Sequence, residues 1–182
     1  MSPDGSTYLR VAHGFTNTLS TVKEGQWQNR TPCDEWNVTE LVEHVVGAHK
    51  KVYAVADADG MEDFGPDLAL TAKWIYALRT FESVLNDPDM ASQPVQTRMG
   101  EQPFTFLIEG LLMVDTLCHT WDLARAVGSD ETLDEVAVAA AHKRLIEADA
   151  FIRGVNGFKD PVTPSAGADA QTAFLNFAGR VV

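Results

Sequence analysis

Cysteine is scarce in this sequence, and the two that occur, Cys33 and Cys118, lie far apart in the chain. Two distant thiols form neither the disulfide framework of a small secreted domain nor the paired cysteines of a zinc ribbon. The first residues, MSPDGSTYLR, also lack the basic and then apolar segment of a signal peptide. We therefore expect a cytoplasmic protein with reduced thiols, in which Cys118 is a core residue.

The sequence also has few basic residues and no long uninterrupted apolar run. The 14 lysines and arginines stand against 26 acidic residues, so the net charge is −12. An acidic surface disfavours phosphate backbones and anionic lipid, which argues against nucleic-acid and membrane partners. The longest apolar stretch, 104–118, is interrupted by Thr105, Glu109 and Asp115, so it is too short and too polar to span a bilayer.

Several signatures of catalysis are missing. The chain has no glycine-rich phosphate loop, no G-x-S-x-G elbow and no H-E-x-x-H motif. Cys33 is followed by Asp34 and Glu35, and acidic neighbours disfavour the thiolate that a nucleophile needs. These absences exclude the commonest hydrolase and phosphate-binding classes and leave the histidines and carboxylates as candidates.

Helical periodicity, by contrast, extends over most of the chain. Near the start, Leu9, Ala12, Phe15, Leu19 and Val22 recur at the spacing of an amphipathic helix. The run Asn37 to Glu40 has the form of a capping box and predicts the start of the second helix. The predicted helices cover 6–24, 37–58, 67–86, 103–128, from about 130 or 132 to 152, and a short turn over 170–178.

These segments predict an all-α fold, an up-down four-helix bundle with long connections and an extra C-terminal helix and tail. The length suits one domain over residues 1–182. Two tryptophans in the connector 25–36 predict that it packs onto the bundle. The polar connection 87–102 has room for a short extended piece at 95–99, and no other β pattern is evident.

The helix 103–128 carries polar residues on an otherwise apolar stripe. At 100° per residue, Asp115, His119 and Asp122 fall on one line with Phe104 and other apolar residues. Buried polar groups are costly unless they are satisfied, either by a hydrogen-bond network or by a metal ion. Asp115 and His119, four residues apart, could therefore be two metal ligands or an ordinary ion pair. Asp122 could orient a ligand.

A third ligand is expected on the second helix, from His44 or His49. The two lie at opposite edges of that helix's apolar arc, so they cannot both reach one site, and periodicity does not choose between them. Two imidazoles and one carboxylate would leave an open position on a zinc-like ion, as in catalytic sites. Arg125 is predicted to pair with Asp122 or Glu109 in a structural network.

Two blocks of the sequence resemble a known family. They are TPCDEWNVTELVEHVVGAH at 31–49 and D-x-x-x-H-T-W-D-L-A-R-A-x-G at 115–128, with GEQP at 100–103 between them. They are similar to the N-terminal domain of mycothiol-dependent maleylpyruvate isomerase, in the DinB-like superfamily of metal-binding four-helix bundles. The resemblance implies metal ligands at His44, rather than His49, and at Asp115 and His119. The isomerase is similar in carrying a glutamate at the first position of the second block, where this chain has the shorter Asp115.

The resemblance implies a divalent metal, zinc as first candidate, and a low-molecular-weight thiol such as mycothiol, activated for transfer or isomerisation. It extends only to the first domain of the isomerase, so the isomerase reaction itself is not carried over. Two alternatives use the same ligands: a binding module stapled by the metal without turnover, and a hydrolase that activates water. A vestigial site is a third. The expected partners are a small-molecule substrate or thiol and, through the first or fifth helix, a second copy in a homodimer.

Overall fold

The computed structural model describes residues 5–33, 36–153 and 157–182. It is mostly helical, with one small two-stranded sheet. In chain order the elements are α1 (Ser6–Ser20), a 3₁₀ turn (Glu24–Gln26), α2 (Val38–Ala56), α3 (Leu70–Asn86), α4 (Pro88–Ser92), β1 (Pro94–Thr97), β2 (Gly100–Pro103), α5 (Phe104–Leu107), a π-helical segment (Ile108–Leu112), α6 (Met113–Val127), α7 (Glu135–Ile152) and α8 (Ala170–Phe177).

The bundle consists of α1, α2, α3 and the long helix that α5, the π-helical segment and α6 form together. α1 runs parallel to the long helix. Thr7 at the start of α1 bonds to Glu109, and Gln26, just beyond the end of α1, bonds to the carbonyl of Val127. α7 packs against α6 and α1, and α8 packs against α7.

α2 and α3 run opposite to α1. Tyr8, at the start of α1, contacts Phe81 late in α3, while Thr16 accepts a hydrogen bond from Trp74 early in α3. α2 likewise ends near the start of α1, where His49 bonds to Tyr8. The directions are therefore up, down, down, up, and residues 57–69 must run back along the bundle to join α2 to α3. The prediction of an all-α four-helix bundle with long connections is confirmed. Its alternating up-down order is corrected, because the long connection 57–69 lets α3 run in the same direction as α2.

The core lies where these four helices meet, and it is continuous with the surface of α7 and α8 that faces them. Its largest fully buried side chains are Trp74, Trp121, Tyr8, Phe15, Phe81, Phe104 and Phe174. Trp27 and Trp36 of the connector pack against this core, as predicted for residues 25–36. Among the described residues, no helix combines the length and apolarity needed to cross a membrane.

The long helix is not regular, although a regular helix was predicted for 103–128. Its π-helical segment, Ile108–Leu112, contains Glu109, whose Oε1 accepts hydrogen bonds from the backbone N–H groups of Thr7 (3.2 Å) and Tyr8 (3.3 Å). α1 needs these acceptors, because its N-cap residue is Gly5, which has no side chain to bond the first-turn donors. A carboxylate from another helix thus performs the capping.

Several predicted ends differ from the structure. α1 stops at Ser20 because Lys23 is already extended, and α3 starts at Leu70 because Ala69 is extended. α7 begins later than predicted because Asp134 caps it by accepting from the N–H of Ala137 at 2.9 Å. The connection 87–102 holds α4 and a β-hairpin, so the extended piece predicted at 95–99 is confirmed in part. Its partner strand Gly100–Pro103, with little strand propensity, was not predicted.

Candidate metal centre

Three side chains from α2 and α6 converge on one face of the bundle. His44 comes from α2, and Asp115 and His119 lie one turn apart on α6. Asp115 Oδ1 lies 3.2 Å from His44 Nε2 and 3.5 Å from His119 Nε2. One ligand-type atom from each residue lies within 4.8 Å of the other two, and no other group of this kind occurs in the described parts of the chain. The structure therefore brings together the three residues predicted as ligands; their metal binding stays a prediction.

The spacing and chemistry of these three residues fit a divalent ion. Tetrahedral zinc with bonds of about 2.0–2.1 Å separates neighbouring ligand atoms by about 3.3 Å, close to the two distances above. Asp115 Oδ2 is buried and has no hydrogen-bond partner among the described residues. Two imidazole nitrogens and one carboxylate are donors that zinc accepts in enzymes. The centre thus has suitable donors, two separations close to those of tetrahedral zinc, a third of no more than 4.8 Å, and one acceptor that the described residues leave unused.

Asp122 bonds to the ring nitrogen of His119 that faces away from Asp115. Its Oδ2 lies 3.0 Å from His119 Nδ1, and because a carboxylate only accepts, Nδ1–H must be the donor. Nε2 of His119 is thereby the nitrogen that faces Asp115 and His44. Asp122 is fully buried. Arg180 of the C-terminal tail donates two hydrogen bonds to its carboxylate, from Nη2 at 2.7 Å and from Nε at 3.3 Å. Sequence reasoning missed Arg180; the only signal was that a buried Asp122 requires a cation.

The charges of the cluster are strongly coupled. Burial acts to raise the pKa of Asp115, but His119 and His44 outweigh it and hold that pKa well below its usual range. Burial acts to lower the pKa of His119, yet Asp115 and Asp122 outweigh it and raise the pKa to about 9. Without a metal, His119 is therefore an imidazolium between two carboxylates at neutral pH. A metal must displace that proton in order to bind.

Trp36 forms a wall of the centre. Its ring stacks on His44 with centroids 4.3 Å apart and planes at 29°, and lies 5.5 Å from the ring of His119. Backbone hydrogen bonds of the connector fix Trp36: its N–H bonds to the carbonyl of Cys33, and its carbonyl accepts from Thr31. Residues 34 and 35, between them, lie outside the described residues. Sequence reasoning placed Trp36 on the bundle but not beside the site.

His49 is not part of the centre and belongs to the core. Its Nδ1 donates to the carbonyl of Val45 at 2.7 Å, so Nε2 accepts from the hydroxyl of Tyr8 at 2.9 Å. The rings of Trp74 and Phe81 surround it. Burial lowers the pKa of His49 to about 4, so it is neutral. Of the two histidines that periodicity left open, only His44 reaches Asp115.

The predicted partners of Arg125 were wrong. Arg125 bonds to Glu131 with Nε at 3.0 Å and lies over the ring of Trp121 at 4.4 Å. Arg180, and not Arg125, pairs with Asp122, and Glu109 instead accepts from the N–H groups of Thr7 and Tyr8 at the start of α1. Cys118 is fully buried, as predicted, and burial raises the pKa of its thiol.

Fold and site together define a DinB-like helical bundle that carries a cluster of two histidines and one carboxylate. A family model described as "Mycothiol maleylpyruvate isomerase N-terminal domain" matches residues 8–124, well over half of the chain. The chain belongs to this family. Two proteins of Mycobacterium tuberculosis, from strains CDC 1551 / Oshkosh and ATCC 25618 / H37Rv, are each 34% identical to it over 186 residues, covering 96% of both chains. Both are described only as uncharacterized. No solved structure gives a significant match.

Proposed function

We propose that the protein binds one divalent metal ion, zinc as first candidate, through His44, Asp115 and His119, and that it activates a low-molecular-weight thiol of the mycothiol type for transfer or isomerisation. The observation that carries the proposal is the convergence of two imidazole nitrogens on a partly buried carboxylate, one oxygen of which has no hydrogen-bond partner within the described ranges of the chain. Membership of a family whose description names mycothiol supports the choice of thiol.

A plain ion-pair network explains the cluster less well than a metal centre does. Both histidines approach the same oxygen, Asp115 Oδ1, and neither serves Oδ2. An unsatisfied buried acceptor costs about 1–3 kcal/mol, and a second imidazole on Oδ1 does nothing to reduce that cost. A cation would bind both nitrogens and could use either carboxylate oxygen, so the same arrangement becomes favourable once an ion is present.

The centre is accessible from one side. The side chain of His44 is 32% exposed and that of Asp115 17%, whereas His119 is only 6% exposed. A small molecule would therefore approach along His44 and the ring of Trp36. Three protein ligands leave a coordination position open, which distinguishes catalytic from structural zinc sites. An ion bound there would favour the thiolate form of an incoming thiol.

The chain's own residues have separate tasks in this proposal. Asp122 keeps the Nδ1–H of His119 engaged, so that Nε2 points to the open side. Asp115 supplies a negative charge that offsets that of the ion. Trp36 excludes water from one flank and offers an apolar face to the carbon skeleton of thiol or substrate.

A cobalt experiment tests both halves of the proposal. The protein is loaded with Co²⁺ and titrated with mycothiol while the absorption spectrum is followed. We expect ligand-field bands on adding Co²⁺ and a new sulfur-to-cobalt charge-transfer band on adding mycothiol, both lost in His44→Ala and His119→Ala. His13→Ala is the matched control, since His13 is a surface histidine of α1 that pairs with Glu82.

The outcomes separate the parts of the proposal. Cobalt bands that persist unchanged in His44→Ala and His119→Ala would refute the metal site. Cobalt bands that respond to neither mycothiol nor another small thiol would refute thiol activation and leave a metal-stapled binding module.

A further inference from the structure

We infer that Arg180, in the C-terminal tail, is a positioning residue of the metal centre: it fixes Asp122, Asp122 fixes His119, and metal affinity depends on this chain of contacts. The inference rests on the proposed function, since it concerns the ion that His44, Asp115 and His119 would hold. It adds a residue from a segment of the chain that lies beyond the family match, which ends at residue 124.

The contact between Arg180 and Asp122 is buried and bidentate. Arg180 is only 8% exposed and Asp122 not at all. Nη2 donates to Oδ2 at 2.7 Å and Nε to Oδ1 at 3.3 Å, so both carboxylate oxygens are held by one rigid guanidinium. Oδ2 also accepts from His119 Nδ1, so the plane of the Asp122 carboxylate determines the direction of the imidazole.

Hydrogen bonds within the tail hold Arg180 in this position. A turn after α8 bonds the N–H of Arg180 to the carbonyl of Leu175 at 2.9 Å, and Asn176 Nδ2 donates to the Arg180 carbonyl at 2.8 Å. The remaining guanidinium nitrogen, Nη1, donates to the carbonyl of Ala178 at 2.9 Å. Gly179 sits at φ +81°, and a Cβ there would lie 2.7 Å from the Cβ of Lys159. The turn therefore requires glycine and leaves Arg180 little freedom to point elsewhere.

A merely structural role, in which Arg180 ties the tail to the bundle, is the competing explanation. The chain offers a matched control in Arg153, which also holds the tail. Arg153 Nη2 donates to the carbonyl of Phe177 at 2.9 Å, and Nε pairs with Asp149 at 2.8 Å. Arg153 has no contact with Asp122 or with the three candidate ligands among the interactions of the described residues. Replacing Arg153 loosens the same tail but removes no contact to Asp122, so the centre should change less than when Arg180 is replaced.

The test compares zinc affinity, measured by competition with a chromophoric chelator, in wild type, Arg180→Met, Arg180→Lys and Arg153→Met. Loss of a group that orients a metal-binding histidine typically weakens affinity by about 10- to 100-fold, and we expect this for Arg180→Met. Arg180→Lys keeps the charge but not the bidentate hydrogen bonding, so its zinc affinity should lie between those of Arg180→Met and wild type. Arg153→Met keeps the contact between Arg180 and Asp122 and should lose clearly less zinc affinity than Arg180→Met.

Two further measurements distinguish positioning from folding. If Arg180 acts through Asp122, adding Arg180→Met to Asp122→Asn should cause no further loss of affinity. The ligand-field spectrum of bound Co²⁺ should change more in Arg180→Met than in Arg153→Met, since only Arg180→Met removes the contact that orients Asp122 and His119. Circular dichroism and the melting temperature of the metal-free variants check folding. If Arg180→Met does not fold, Arg180→Lys is compared with wild type and Arg153→Met in its place.

The results separate this inference from the proposed function. A wild-type protein without zinc affinity overturns both. A wild type that binds zinc, together with an Arg180→Met variant that binds it as well as wild type or as Arg153→Met does, overturns only the role of Arg180.

Discussion

Zinc affinity is predicted to rise with pH because a proton and the metal compete for His119. Asp115 and Asp122 raise the pKa of His119 to about 9 in the metal-free protein. At pH 7, two units below that pKa, only about one molecule in a hundred has a deprotonated His119. Displacing the proton then costs about 3 kcal/mol of the intrinsic binding free energy. The side chain is 6% exposed, so solvent screening does little to reduce this cost.

The assay is isothermal titration of the metal-free protein with zinc in buffers of different ionisation enthalpy, repeated between pH 7 and 9. We expect about one proton released from His119 per zinc bound near pH 7, with apparent affinity rising about tenfold per pH unit and levelling near pH 9. Asp115 contributes no proton in this range, because its pKa is held well below its usual value. Asp122→Asn removes one of the two carboxylates that raise the pKa of His119, so it should move the levelling point to lower pH.

An affinity that is flat between pH 7 and 9, with no proton released, would show that His119 is already deprotonated in the metal-free protein. Asp115 and Asp122 would then not raise the pKa of His119 as proposed. Levelling at the same pH in Asp122→Asn as in wild type would show that Asp122 does not act on His119.

Three further predictions concern the stability of the fold. Because the pKa of His119 is raised from 6.5 to about 9, the stability it contributes is present below pH 6.5 and lost as pH rises through 9; we expect a loss of roughly 3 kcal/mol in urea unfolding, absent when zinc is bound. Tyr8→Phe leaves Nε2 of His49 without its donor and should cost about 1–3 kcal/mol while leaving zinc affinity unchanged, which separates the core histidine from the site. Glu109→Ala removes the acceptor for first-turn N–H groups of α1 and should also cost about 1–3 kcal/mol by chemical denaturation; an unchanged midpoint would mean that water replaces the carboxylate.

Local chemistry made much of the fold predictable. The capping box at Asn37 and Glu40 forms as the sequence indicates, with hydrogen bonds of 2.9 and 2.8 Å. Helix periodicity depends on neighbours three and four residues away, so the existence and type of the main helices follow from sequence. Asp115 and His119 lie on the same helix, and their proximity is likewise a local property.

What the sequence left open depends on contacts between distant residues. Periodicity placed His44 and His49 at opposite edges of α2, and which edge faces α6 is decided by how the four helices are arranged. Arg180 and Asp122 are 58 residues apart, and no local pattern links them. The π-helical segment contains Glu109, whose carboxylate caps α1 because the N-cap residue of α1 is a glycine. Each of these features arises when a buried polar group must find its partner across the bundle.

We propose above that His44, Asp115 and His119 hold a metal ion. Elemental analysis of the protein, purified without chelator and dialysed against metal-free buffer, tests it most directly. We predict one equivalent of zinc per chain in wild type and in His13→Ala, and none in His44→Ala. A wild-type protein without metal, which also takes none up when zinc is supplied, or a His44→Ala variant with a full equivalent, would contradict it.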